Sequence, residues 1–136
     1  MISFTALSSC AKKSTDTYFI HAISFEEKHG IYTIHAISEK HPSKDEKYTV
    51  ISQSGKSPND AAKQLGNKFR DCYFATSEVY FLDDKTTPIL PIIAREISTS
   101  NTYPSKSHVI YVEGDAKELM EQIKDENTLK KVLRLC

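Results

Sequence analysis

A chain of 136 residues, 39% hydrophobic and 26% charged, has the size and make-up of one globular domain with a single core, spanning 1–136. Lysine plus arginine, at 18, equals aspartate plus glutamate, at 18, so the chain lacks the basic excess of a dedicated nucleic-acid binder, and its low net charge favours self-association. Cys10, Cys72 and Cys136 are odd in number and form no CxxC pair, which argues against a disulfide framework or a zinc knuckle and predicts a reducing, cytoplasmic setting; no apolar run is long enough to span a membrane.

Residues 1–16 are dominated by serine and threonine and read as irregular. Within them Leu7-Ser8-Ser9-Cys10 resembles a lipoprotein cleavage box, which would imply export through Cys10. The stretch before it lacks the basic start and apolar run of a secretory signal, so a plain N-terminal segment is the preferred reading.

The clearest pattern follows. Tyr18-Phe19-Ile20-His21-Ala22-Ile23-Ser24 and Tyr32-Thr33-Ile34-His35-Ala36-Ile37-Ser38 match at six of seven positions and flank a polar link with a glycine near its end. Two β-branched, aromatic-rich runs joined in this way predict a β-hairpin. With Gly30 in the left-handed position of a three-residue loop, Lys28-His29-Gly30, Glu27 falls opposite Ile31, Ile23 opposite His35 and His21 opposite Ile37. Ala22 then faces Ala36 on one face, while His21 and His35 share the other, diagonal to each other and about 7 Å apart at Cβ. A two-residue loop would shift the register by one and undo these assignments. Neither face is cleanly polar, so both are expected to be covered.

A polar loop with a proline, residues 41–46, precedes Lys47–Gln53, whose Tyr48-Thr49-Val50-Ile51 predicts a third strand. Ser57-Pro58-Asn59-Asp60 is a helix start: serine caps, proline fits the first helical position and aspartate complements the dipole. The helix is expected to run to Cys72 with Ala62, Leu65, Phe69 and Cys72 inward, and its Gly66 to rest over Ala22 and Ala36. Glu78–Leu82 reads as a strand, Asp83–Pro88 as a solvated turn, and Ile89–Ile97 as an edge strand or a helix starting at Pro91, with strand preferred as a partner for Val109–Val112. Residues 98–106 read as a polar connecting loop. Asp115-Ala116-Lys117-Glu118 is a capping box opening a helix with Leu119, Met120 and Ile123 inward, interrupted near Asp125 and resumed through Leu129, Val132 and Leu133. The predicted class is α+β: a mainly antiparallel sheet built on an N-terminal three-strand meander, with helices packed on it.

Three groupings could carry chemistry. His21 and His35 could serve as acid and base in a small metal-independent hydrolase or nuclease, or stand as half-buried sheet residues with hydrogen-bond partners; a third ligand at zinc spacing is missing. Lys56, Ser57 and Lys63 mark an anion site at the helix start, although Val50 stands where a phosphate loop needs its first glycine. Tyr48–Asp71 is similar to the end of a double-stranded RNA-binding domain, which implies contacts from Lys56, Lys63, Lys68 and Arg70, but Ser57-Pro58-Asn59-Asp60 replaces that family's lysine cluster. No cofactor motif is present. The preferred functional reading is a non-enzymatic protein-binding module, an adaptor, chaperone, inhibitor or immunity-type protein, acting on another protein or as a homodimer.

Overall fold

The structure, a computed structural model, describes residues 17–41, 48–69, 72–99, 107–124 and 126–135. The expectations for residues 1–16, for most of the 41–46 and 98–106 loops, and for Cys10, Arg70 and Cys136 lie outside them.

Strands β1 (Thr17–Lys28), β2 (Ile31–His41) and β3 (Tyr48–Gly55) form the antiparallel meander. Helix α1 (Pro58–Phe69) leads to the two-residue strand β4 (Cys72–Tyr73), a 3₁₀ turn (Phe74–Thr76) and β5 (Val79–Leu82). A second 3₁₀ turn (Thr87–Ile89) opens into α2 (Leu90–Thr99), which returns the chain to β6 (His108–Tyr111). Two helices close the chain, α3 (Ala116–Ile123) and α4 (Glu126–Leu135). The sheet order is β3-β2-β1-β5-β6, with β4 also paired to β1. Pairs β1–β5 and β5–β6 run parallel, because helices α1 and α2 carry the chain back across the sheet between strands. The fold is α+β as expected: an N-terminal three-strand antiparallel meander within a mixed sheet, with helices packed against it.

Both faces are covered. Ile23, Phe25, Ile34, Ala36 and Ile51 pack with Ala61, Ala62 and Leu65 of α1 and Ile93 of α2. On the opposite face Ala22, Ile37, Val79 and Phe81 pack with Ala116, Met120 and Ile123 of α3 and Leu129 of α4.

The hairpin differs from expectation in register. Lys28 pairs with Ile31, leaving a two-residue turn with His29 at φ 54° and Gly30 at φ 79°. Both central residues therefore have positive φ, as in the mirror-image turns whose twist matches the strands they join. The Glu27 carboxylate accepts from the Gly30 amide at 2.6 Å. Ser24 now stands opposite His35, Ile23 opposite Ala36 and Ala22 opposite Ile37. Ala22 and Ala36 thus lie on opposite faces, and Gly66 rests over neither: a Cβ built on it meets nothing within 4 Å. The close approach to Ala36 is made by Ala61 and Ala62 instead.

A bulge between Ile20 and Ala22 absorbs His21. It falls where β4 gives way to β5 along the same edge of β1. There the Ile20 carbonyl accepts from the Thr76 hydroxyl (2.8 Å) and the His21 carbonyl from the Glu78 amide (3.0 Å). The extra residue keeps its backbone paired and turns the imidazole onto the α3/α4 face.

Residues 89–97 are helical, correcting the preferred strand reading. Pro91 sits in the first turn of α2, where its missing amide costs nothing. Ile89, Ile93 and Ile97 then stack at four-residue intervals against the core. The strand next to Val109–Tyr111 is β5.

Candidate functional site

The two strand histidines both face the α3/α4 layer, although not for the reason the spacing suggests. His35 reaches that face through the two-residue turn, and His21 through the bulge. Each is held by its own carboxylate. His21 Nε2 lies 2.8 Å from Glu39 Oε1, and its ring stands edge-on to Tyr48 with centroids 5.5 Å apart. His35 is only 5% exposed; its Nε2 is 3.0 Å from Glu26 Oε1 and its Nδ1 is 2.6 Å from Ser52 Oγ. A tautomer with its proton on Nε2 donates to Glu26 and accepts from the Ser52 hydroxyl at Nδ1. The next row continues the polar strip, with Thr33 Oγ1 2.8 Å from Ser54 Oγ. Glu26, Glu39 and Ser52 gave no signal in the sequence, because their proximity to the histidines exists only in this register.

The carboxyl ends of β1, β5 and β6 gather further charge. Asp83, expected in a solvated turn, is 5% exposed. Its carboxylate accepts from the amides of Lys85 (2.9 Å), Thr86 (3.2 Å) and Ala116 (2.8 Å). Thr86, fully buried beside it, donates to the Phe25 carbonyl at 3.0 Å. The Asp83-x-x-Thr86 spacing, a local side-chain-to-backbone motif, was the signal available for this hub. Asp115 caps α3, accepting from the Glu118 amide at 3.2 Å, as the capping-box reading expects. Its other oxygen meets Lys85 Nζ at 2.8 Å, and that hydrogen bond holds the Asp115 carboxyl below, and the Lys85 ammonium above, their ordinary values. The Asp84 carboxylate accepts from the Tyr111 hydroxyl, which raises the phenol. Among the described residues no three His, Cys, Asp or Glu side chains are placed to hold a metal ion.

At the start of α1, Ser57 caps as expected, its hydroxyl accepting from the Asp60 amide at 3.0 Å. The amides an anion would use are engaged by carboxylates of the chain: Lys56 N–H donates to Asp60 (2.8 Å) and Asn59 N–H to Glu96 (2.9 Å). The Lys56 amide is the main cause of a depressed Asp60 carboxyl. Lys56, Lys63 and Lys68 are exposed along this helix, with Lys68 Nζ 5.4 Å from the Phe69 ring centre. Cys72 packs half-buried against the core.

Between β5 and β6, the Tyr80 hydroxyl is buried with no hydrogen-bond partner within reach among the described residues, and burial pushes its phenol up to about 12. The Ser107 hydroxyl, which pulls the other way, donates to the Ser77 carbonyl at 3.1 Å.

Among the described residues, the outer strand β6 leaves two large apolar side chains in water on a sheet edge. His108 N–H donates to Glu78 (2.9 Å) and Val112 N–H to Leu82 (2.7 Å), so the alternate amides, those of Val109 and Tyr111, point away from β5. Val109 is 62% and Tyr111 56% exposed. They pair with Tyr80 and Leu82, which sets both on the α1/α2 side of the sheet, whereas Ile110 packs under α3 and α4.

No known protein family, curated protein or solved structure matches the chain. No helix among the described residues is long and apolar enough to cross a membrane.

Proposed function

We propose that the protein is a non-enzymatic binding module that docks an extended segment of a protein partner along β6. The observation that carries this reading is an edge strand whose outward amides belong to Val109 and Tyr111, the same two residues that expose apolar side chains. Edge strands of stable monomers are ordinarily blunted by shortness, charge, proline or a bulge; His108-Val109-Ile110-Tyr111 is short but carries no lysine, proline or bulge. Main-chain hydrogen bonds would supply affinity, and the exposed valine and tyrosine would select alternate side chains of the incoming strand. A photo-reactive phenylalanine at position 109, introduced in the cells that make the protein, should give adducts mapping to one segment of one protein. The same group at position 63, on the outer side of α1, should not. Equal labelling at both positions, or none at 109, would remove the reading.

A second reading, a small metal-independent hydrolase, has one observation of its own: the run Ser52–His35–Glu26. Glu26 would hold His35 with Nδ1 free to take the Ser52 proton as Oγ adds to an ester carbonyl. Ser52 lies on the opposite edge strand and is half-buried, whereas His35 is covered. A fluorophosphonate should then label the wild type at Ser52 and spare Ser52→Ala; an unlabelled wild type would end this reading. His21, tied to Glu39, takes no part in it.

A further inference from the structure

We infer that the segment docked on β6 is β6 of a second copy, the two strands pairing antiparallel about a two-fold axis at Ile110. This rests on the binding-module reading and names its partner. The strand is self-complementary in register. With Ile110 opposite Ile110 of the second copy, Val109 falls opposite Tyr111 in both halves. These are the residues whose amides and carbonyls point outward, so each pair exchanges two main-chain hydrogen bonds and the outward groups of both residues are satisfied. The same register sets valine beside tyrosine across the new seam, on one face, twice. Aromatic–β-branched pairs of this kind stabilise antiparallel ladders. Charge does not oppose the contact: the four residues of β6 carry no Lys, Arg, Asp or Glu, and the chain has a formal net charge of zero. The Tyr111 hydroxyl stays clear of the main-chain seam, engaged by Asp84. A contact four residues long falls below the area of a permanent dimer, which predicts weak, reversible association.

Light scattering over about 1–500 μM should show the mass rising from 15.4 kDa toward twice that value. Val109→Glu should hold the mass at one chain throughout, with an unchanged circular dichroism spectrum. In the wild type, hydrogen exchange at the Val109 and Tyr111 amides should slow about tenfold from the bottom to the top of that range, while the Ile110 amide, already turned toward β5, should not respond. A dimer that survives Val109→Glu, or amides at 109 and 111 indifferent to concentration, would overturn the inference. A constant monomer whose position 109 still labels a different protein would overturn self-pairing and leave the binding module standing. A monomer with no adduct at 109 would overturn both.

Discussion

Replacing Asp83 with alanine should lower stability by about 3 kcal/mol or more, read as a fall in the denaturation midpoint with little change in slope. The carboxylate is buried and accepts three amides, from Lys85, Thr86 and Ala116. Hydrogen bonds to a charged group contribute roughly 1.5–3 kcal/mol each, and donors left without an acceptor bear their full desolvation cost. The damage would not stay local. The Ala116 amide belongs to the first turn of α3, so the loss loosens the helix that covers Ala22 and Ile37. Thr86, which ties the turn to the Phe25 carbonyl, loses its neighbour at the same time. Asp83→Asn should recover only part of the loss, because its amide end would present donors to a donor. A change within about 0.5 kcal/mol for the alanine variant would return Asp83 to solvent, where the sequence reading had put it.

Gly55→Ala should be nearly as damaging. A Cβ on Gly55 would stand 2.5 Å from the Ala61 nitrogen and 2.7 Å from the Asp60 carbonyl carbon, both backbone atoms of α1. Side chains can rotate away from such a clash; a helix backbone can yield only by moving off the sheet. Overpacking ordinarily costs about 1–3 kcal/mol, and this contact belongs at the upper end. Gly66, in the same helix, provides the opposite test. Nothing lies within 4 Å of its added Cβ, and alanine there should raise stability by about 0.5–1 kcal/mol through helix propensity. Thermal unfolding of the two variants side by side checks both signs. Equal effects would mean that the β3–α1 junction is looser than the structure has it.

These glycines show where sequence reasoning reaches and where it stops. The sequence singles out Gly66, inside a helix, and passes over Gly55. It attaches the close approach to Gly66, because helix interiors rarely spend a glycine without reason. The tight contact is at Gly55, where β3 runs straight into the first turn of α1, a fact of tertiary geometry.

The sequence is sufficient for the elements with local causes. β-branched runs made β1, β2 and β3, Ser57 and Pro58 started α1, and Asp115 started α3, because side-chain stiffness and capping act within a few residues. It also placed His21 and His35 on one face, though by a register that does not occur. The tertiary structure set that register. Gly30 suits either loop length, and the choice turns on His29 accepting a positive φ and on Thr76 and Glu78 catching the carbonyls of a bulge more than 50 residues earlier. It likewise decided Ile89–Ile97, where Pro91 permits helix or edge strand and the stacking of Ile89, Ile93 and Ile97 on the core selects helix. It buried Asp83 by bringing the Ala116 amide, 33 residues on, to its carboxylate. It left β6 on the outside because the parallel strands are added outward from β1, so among the described residues the last one made pairs with β5 alone. In each case the deciding partner is distant in the chain, and no local pattern of apolar and polar residues encodes it.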